Sequence, residues 1–185
     1  MSVPPNGFEK GPEREVYRGG VISLAVGRFT APDGTTFERD LVHHPGAVSV
    51  VPVTDAGEVV LVRQYRAAVG AHLLEIPAGT RDVPGEPPEE TAHRELAEEV
   101  GLVAGRLEAL ARFHNSAGFS DELSHVFLGL DLTEVQRSTQ GLEEDHMTIE
   151  RLALGDVPAM IADGRLCDAK TIIGLLLARE ALGLR

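Results

Sequence analysis

The sequence predicts an α/β fold, and three stretches of the chain support that prediction. Residues 46–53 and 58–64 are rich in valine and flank a turn at residues 55–57, as paired strands do. The stretch between Pro87 and Gly101 instead has the end signals of a helix, and an apolar IIGLLLA run follows Asp168, a residue typical of helix starts. We therefore expect a strand-rich core that the last helix closes.

Turn and strand signals divide the rest of the chain. Residues 1–13 are rich in Pro, Gly and charge, and we expect them to form a loose lead-in. A two-glycine turn at 19–20 suits a strand pair over 15–29, and the Pro-Asp-Gly turn at 32–34 precedes a further strand. The other expected strands are 37–42, 73–79, 106–114, 123–130 and 147–154. Asp156 is expected to cap a short helix after the last of them.

The charged helix has clear signals at both ends. Pro87 and Pro88 suit a first helical turn, where a missing N–H group leaves no helical hydrogen bond unmade. Acidic residues around this start favour the positive end of the helix dipole. Gly101 is typical of the residue that follows a C-terminal turn. The sequence therefore predicts a helix that ends before Gly101.

Three carboxylates share one face of this helix. Glu95, Glu98 and Glu99 are three and four residues apart, so the helical repeat places them side by side. Like charges at this spacing destabilise an isolated helix, and bound divalent cations are the simplest compensation. Oxygen ligands without a set of His or Cys ligands favour Mg²⁺ or Mn²⁺ over Zn²⁺. Taken alone, the run is also compatible with a solvated acidic face.

Composition limits the classes of function. The formal net charge is −12, which argues against a general nucleic-acid binder because such proteins present basic surfaces to phosphates. The single cysteine, Cys167, excludes an intrachain disulfide and fits a reducing cytoplasm, where we expect it to be a small buried residue. No apolar run has the length of a membrane span, and the N-terminus lacks the apolar region of a signal peptide.

Residues 79–102 resemble the Nudix box, G-x5-E-x7-R-E-U-x-E-E-x-G-U, where U is a bulky aliphatic residue. Eight residues lie on this pattern: Glu86, Arg94, Glu95, Leu96, Glu98, Glu99, Gly101 and Leu102. Gly79 lies one residue too far upstream, so the loop before Glu86 carries an extra residue. This departure affects the loop and leaves the spacing of the carboxylates intact.

The resemblance implies a Nudix α/β/α sandwich with a mixed sheet and an N-terminal antiparallel β layer. We expect the β layer to occupy residues 1–45 and the Nudix hydrolase domain to occupy residues 46–185. In the Nudix pyrophosphatases that act on ADP-ribose, such an N-terminal layer helps to form a dimer. A homodimer is therefore the expected assembly.

Two neighbours of the box narrow the expected substrate. LVRQYR at 61–66 and LLEIPAG at 73–79 are typical of Nudix enzymes that cleave ADP-ribose and related nucleoside diphosphate sugars. The loop NSAGFSDE at 115–122 resembles the SPGFSDE-like segment of those enzymes, but Ala117 replaces their usual proline. The substitution leaves GDP-sugars, UDP-sugars and other nucleotide diphosphates open as substrates.

The same resemblance suggests which residues contact the substrate. Arg66 would lie near the diphosphate, where its planar fork suits phosphate oxygens. Arg39 in the β layer and Gly118 in the 115–122 loop are further candidates. Glu75 lies between apolar residues, so it either faces water or is held by an arginine. The segment from Asp168 to Thr171 resembles the family's entry to the last helix and is assigned a structural role.

The resemblance also assigns the metal ligands. Glu95 and Glu99 are expected to be the principal ligands, with Glu98 supporting or bridging them. The backbone carbonyl of Ala78 would complete the coordination of one metal ion. The expected cofactor is Mg²⁺ or Mn²⁺, and the expected reaction is hydrolysis of a nucleoside diphosphate sugar to a nucleoside monophosphate and a sugar phosphate.

Supporting and catalytic roles complete the expected site. Arg94 would orient a glutamate of the box, and Glu86 would support the helix start or the loop before it. The acidic loop at 138–146 would bring a glutamate over the metals as base or further ligand. Glu144 is the first candidate for this role and Glu143 the second.

Two other classes of function stay open on the sequence. One is a non-catalytic Nudix-fold module that senses a nucleotide, although a pure binder does not need so many charges on one helix. The other is an acidic interaction domain that binds Ca²⁺. Calcium sites draw their ligands from flexible loops rather than one helix, so this is the weakest alternative.

Overall fold

The computed structural model describes residues 7–138 and 146–184, which fall into two compact units. The first unit comprises the described residues up to Gly46 together with His114–Leu123. The second comprises Ala47–Phe113 and the described residues from Ser124 onwards. Glu143 and Glu144, the candidates for the catalytic base, lie outside the described residues.

The first unit contains a three-stranded antiparallel sheet in the order β1-β2-β3. Its strands are β1 (Glu9–Arg18), β2 (Ser23–Thr30) and β3 (Thr36–His43). The expected turn between β2 and β3 is confirmed, with the N–H of Gly34 bonded to the carbonyl of Ala31 at 2.9 Å. The expectation of a loose lead-in over 1–13 is wrong from Glu9 onwards, where β1 pairs with β2. Every residue of β1 is exposed, so no apolar alternation marks the strand in the sequence.

The loop before Leu123 joins the edge of this sheet. The N–H of Val42 donates to the carbonyl of Phe119 at 2.7 Å, and the N–H of Asp121 donates to the carbonyl of Val42 at 3.1 Å. His43 then bonds through its two ring nitrogens to Asp121 at 2.5 Å and to Glu13 of β1 at 2.8 Å. One imidazole therefore ties the loop and β1 to β3.

The second unit holds two further sheets. They have the orders β10-β5-β6 and β7-β4-β9-β8, and β4 pairs parallel with β9 but antiparallel with β7. The strands are β4 (Ala47–Pro52), β5 (Glu58–Arg66), β6 (Ala71–Glu75), β7 (Ala78–Thr80), β8 (Leu102–His114), β9 (Leu123–Glu134) and β10 (Thr148–Ala153). The expected mixed pairing is confirmed.

Three α-helices lie in the described part of this unit: α1 (Pro88–Val100), α2 (Val157–Ala162) and α3 (Ala169–Ala181). Alternate valines of β4 and β5 face two separate apolar clusters, as the period of a strand requires. One cluster combines Val48, Val50, Val60 and Val62 with Ala92, Leu96 and Val100 of α1. The other combines Val51, Val59 and Leu61 with Val157 and Met160 of α2 and Leu175 and Ala178 of α3. The strands are therefore sandwiched between helices.

The observed ends of the helices can be compared with the caps that the sequence predicts. Gly101 adopts the left-handed conformation with φ 66° at the end of α1, as predicted. Asp168 caps α3, accepting the N–H of Thr171 at 2.9 Å. The expected capping role of Asp156 is wrong, because a 3-10 turn at Leu154–Asp156 already gives this residue a helical backbone and its side chain makes no capping bond. Among the described residues, no helix combines the length and apolar character needed to cross a membrane.

Cys167 is exposed, which corrects the expectation of a buried thiol. It lies in the segment that joins α2 to α3. Its neighbour Leu166 is only 1% exposed and fills the apolar cluster instead.

Candidate active site

The carboxylate of Glu95 packs directly on the backbone of β7. A Cβ atom added to Gly79 would lie 1.9 Å from the Cδ atom of Glu95, well inside van der Waals contact. Gly79 is also paired with Val48 of β4, which restricts how far its backbone can move. Glu95 can therefore occupy this place only above a glycine, even though Gly79 lies one residue further from Glu86 than the box pattern specifies. The loop between β7 and α1 absorbs the extra residue.

Arg94 is surrounded by carboxylates. Its Nη1 donates to Glu95 at 2.8 Å and to Glu98 at 3.4 Å. Its Nη2 donates to Glu86 at 3.2 Å and to Asp82 at 3.4 Å. The hydrogen bond from Arg94 lowers the pKa of Glu86, and the same pairing raises the pKa of Arg94. One guanidinium thus offsets part of the repulsion that the sequence predicts for this face.

Glu95 is affected both by burial and by neighbouring carboxylates. Burial raises its pKa to about 7, and the charges of Glu98 and Asp82 act in the same direction, while Arg94 opposes them. A carboxylate in this state gains from a nearby cation, because the cation favours the ionised form. A bound cation would therefore offset part of the electrostatic cost at Glu95.

Glu99 is held by the strand beneath it. Its side chain is 4% exposed, and its Oε2 accepts the backbone N–H of Ala78 at 2.9 Å. Ala78 is the residue whose carbonyl is expected to be a metal ligand, so the structure brings this pair of predicted ligands together. β7 supplies both the glycine below Glu95 and the amide that orients Glu99.

The donor set suits a hard divalent cation. Glu95, Glu98 and Glu99 offer only carboxylate oxygens, the ligands that Mg²⁺ and Mn²⁺ prefer. Across residues 7–138 and 146–184, no three His, Cys, Asp or Glu side chains form a ready metal-binding group. The bonds from Arg94 to Glu95 and Glu98 explain this arrangement, because they direct two of the carboxylates towards the guanidinium.

A second charged cluster is buried beside β5. Glu75 is completely buried, and its two carboxylate oxygens accept Nε and Nη2 of Arg66 at 2.7 and 2.6 Å. Lys170 of α3 also contacts Oε2 of Glu75. Burial pushes the pKa of Glu75 upwards, but the hydrogen bonds and charges of Arg66 and Lys170 outweigh it and lower the pKa. Of the two environments expected for Glu75, the one held by an arginine is confirmed.

Lys170 belongs to the segment that was assigned a structural role, but its contact with Glu75 was not predicted. Its ammonium lies 3.0 Å from Asp168, and the same oxygen of Asp168 accepts the hydroxyl of Thr171 at 2.6 Å. That hydroxyl in turn accepts the backbone N–H of Ile76 at 3.0 Å. A charged residue inside LLEIPAG was the only sequence signal that a buried partner must exist.

The remaining predicted residues, Arg39 and Gly118, lie in the first unit. The guanidinium of Arg39 lies 4.6 Å from the centre of the Phe37 ring, and its Nη1 donates to the carbonyl of Glu38 at 2.7 Å. Gly118 lines a cavity of about 310 Å³ within the same unit. Apolar side chains, including those of Phe29, Leu41 and Phe119, form much of its wall.

Comparison with known proteins agrees with this geometry. The family profile described as NUDIX domain matches residues 43–172. The chain is 37% identical over 172 residues to the ADP-ribose pyrophosphatase of Bacillus subtilis (strain 168), covering 92% of each chain. It is also 37% identical over 171 residues to the methanol dehydrogenase activator of Bacillus methanolicus, covering 91% of each chain.

A solved structure confirms the predicted fold. The crystal structure of an ADP compounds hydrolase matches with a TM-score of 0.82 and 24% identity, covering 95% of this chain and 94% of that one. The matched profile, the relatives and the carboxylate helix packed on β7 lead to one conclusion. This chain belongs to the Nudix family of hydrolases.

Proposed function

We propose that the enzyme hydrolyses the diphosphate bond of ADP-ribose or a related nucleoside diphosphate sugar, with Mg²⁺ or Mn²⁺ as cofactor. The products are a nucleoside monophosphate and a sugar phosphate. The observation that carries the proposal is the packing of the carboxylate face of α1 on β7, where Gly79 and Ala78 contact Glu95 and Glu99. The extended similarity to a protein named ADP-ribose pyrophosphatase supports the substrate class.

Some residues of the site would bind the metal, and Arg94 would orient one of these ligands. Glu95, Glu99 and the carbonyl of Ala78 would hold the metal, with Glu98 supporting them. When bound, the divalent cation neutralises charge on the diphosphate and lowers the pKa of water. Arg94 keeps Glu95 in place through their 2.8 Å bond.

The reaction is a hydrolysis in which one bond forms and one breaks. The oxygen of a water molecule bonds to one phosphorus, and the bridging P–O bond breaks with its electrons on the leaving phosphate. Glu144, or Glu143 in its place, accepts the proton of the attacking water. Arg66 binds the diphosphate through its guanidinium, while Arg39 and Gly118 contact the rest of the substrate from the β layer.

The β layer is proposed to form a homodimer. Val16 and Tyr17 at the end of β1 and Val21 and Ile22 after it are all exposed apolar residues. Exposed apolar side chains of this kind are stabilised when a second copy covers them. We place the enzyme in the cytoplasm, which the single unpaired cysteine supports, and we assign it no nucleic-acid or membrane partner.

A substrate screen tests the proposed reaction. Purified protein with Mg²⁺ or Mn²⁺ is incubated with ADP-ribose, GDP-sugars, UDP-sugars and dinucleoside polyphosphates, and a phosphatase then releases inorganic phosphate from the monoester products. We expect ADP-ribose to give the largest signal. A larger signal from GDP- or UDP-sugars would move the assignment to those substrates, and no signal from any compound would refute hydrolysis.

One relative favours a second candidate function, that of a nucleotide-binding module that regulates another protein. The methanol dehydrogenase activator is as similar in identity to this chain as the pyrophosphatase is. The intact carboxylate set favours the enzyme, because a binding module gains nothing from buried like charges. Binding of a nucleotide sugar without turnover in the same screen would favour the module.

A further inference from the structure

Arg66 is fixed before any substrate arrives. Its Nε and Nη2 form a two-bond fork with Glu75, whose carboxylate is completely buried. A guanidinium held in this way loses little further conformational freedom on binding a ligand. The charge of Glu75 is essential to this geometry, because only a carboxylate accepts both parallel N–H bonds.

The fork leaves the opposite edge of the guanidinium available. Arginine has five N–H donors, and Glu75 uses only the edge formed by Nε and Nη2. Within the described part of the chain, Nη1 of Arg66 has no hydrogen-bond partner, and the side chain is 38% exposed. Two donors of Nη1 and one of Nη2 can therefore meet phosphate oxygens while the inner edge stays bound.

The buried carboxylate is itself held from the other side. Lys170 contacts Glu75 and lies 3.0 Å from Asp168, the residue that caps α3. Thr171 bonds to Asp168 and to the N–H of Ile76, the residue after Glu75. Glu75, Lys170, Asp168, Thr171 and Ile76 therefore form a closed ring of contacts. The start of α3 is thus fastened to the strand end that leads into β7. A shift of Glu75 would have to break several of these bonds at once.

We propose that Glu75, braced by Lys170, is a positioning residue that presents the outer edge of Arg66 to the substrate diphosphate. The inference rests on the proposed function for the identity of the ligand. It assigns Glu75 no contact with substrate or metal. The segment from Asp168 to Thr171, expected to be structural, would then also serve substrate binding through this ring.

Metal-free binding separates this role from catalysis. Calorimetric titration with ADP-ribose in EDTA is carried out on the wild type, Glu75→Gln, Arg66→Ala and the double variant. We expect each single substitution to weaken binding by about 10- to 100-fold, the range for losing charge-assisted hydrogen bonds. The double variant should bind within about twofold of Arg66→Ala, since Glu75 acts only through Arg66.

A matched control lies on the same strand. Arg63 of β5 forms a similar fork with Glu150, with distances of 2.5 and 3.2 Å, away from the proposed ring. Glu150→Gln therefore removes an arginine–glutamate fork without touching Arg66. We expect its affinity for ADP-ribose to stay within twofold of the wild type. An equal loss in this variant would show that any lost ion pair weakens binding, and would overturn the inference.

The remaining outcomes are also decisive. Wild-type affinity in Glu75→Gln, or a double variant in which the two losses multiply, would overturn the positioning role. If Glu75→Gln does not fold, the affinity of Arg66→Lys is measured instead. An ammonium cannot hold Glu75 and phosphate with the same fork, so this variant should bind ADP-ribose more weakly. Wild-type affinity in Arg66→Lys would refute the inference. Binding without hydrolysis in the wild type refutes the proposed reaction alone, whereas hydrolysis with Mg²⁺ by a wild type that shows no metal-free binding refutes the positioning role alone.

Discussion

The substitution Gly79→Ala should greatly reduce activity while reducing stability only slightly. The added Cβ would lie 1.9 Å from Cδ of Glu95 and 2.2 Å from its Oε2, so either β7 or the Glu95 side chain must move. β7 is paired to β4, whereas the Glu95 carboxylate is the end of a flexible side chain, so the carboxylate moves. Alanine adds no backbone strain at this position, because Gly79 does not have a positive φ.

Movement of the Glu95 carboxylate sets the size of the loss in stability and of the loss in activity. Rotation of Glu95 breaks its 2.8 Å bond to Arg94, but it also moves a desolvated carboxylate towards water. The net loss in the free energy of unfolding should therefore be about 1 kcal/mol, within the range for one hydrogen bond. Displacing Glu95, a proposed metal ligand, by about 1 Å or more should reduce kcat/KM at least about 100-fold.

Urea unfolding and steady-state hydrolysis with Mg²⁺ measure these two quantities. Gly155→Ala is the matched control, because a Cβ there meets nothing within 4 Å and this glycine also lacks a positive φ. Its stability and activity should equal those of the wild type. Activity of Gly79→Ala within about threefold of the wild type would refute the reasoning about Glu95. A loss of stability above about 3 kcal/mol would show that β7 moved instead.

Three other predictions address charge. Glu99→Gln should lose at least about 100-fold in turnover while it stays folded, because an amide oxygen can still accept the N–H of Ala78; near-normal turnover would contradict the ligand role. EDTA should abolish hydrolysis and Mg²⁺ or Mn²⁺ should restore it, whereas full activity in EDTA would exclude metal dependence. Hydrogen bonds to Asp121 and Glu13 raise the pKa of His43, so the stability that they provide is complete below the unfolded pKa near 6.5 and is lost as pH rises through the folded pKa. Urea midpoints should therefore show the advantage of wild type over His43→Gln shrinking from pH 6 to pH 9, and a constant advantage would count against the pairing.

Local signals in the sequence predicted some elements well and others poorly. The ends of α1 and the cap of α3 were predicted because proline, glycine and aspartate act within one helical turn of their own position. β1 was missed before Glu15 because its stability comes from pairing with β2 rather than from its own composition. Asp156 has the right residue type for a cap, yet the 3-10 turn before it removes the extended backbone that capping needs.

By itself, the sequence determined the helical spacing of Glu95, Glu98 and Glu99, and the full box around them carried the resemblance that indicated the family and the class of chemistry. Helical periodicity is a local property, so it could be read without knowing what the helix packs against. The tertiary structure alone decided that Gly79 lies under Glu95 and that Arg94 bonds to Glu86, Glu95 and Glu98. It also decided that Glu75 is held by Arg66 together with Lys170, 95 residues further along the chain. Contacts of this kind depend on the packing of strands and helices that are distant in sequence, and no local pattern specifies that packing.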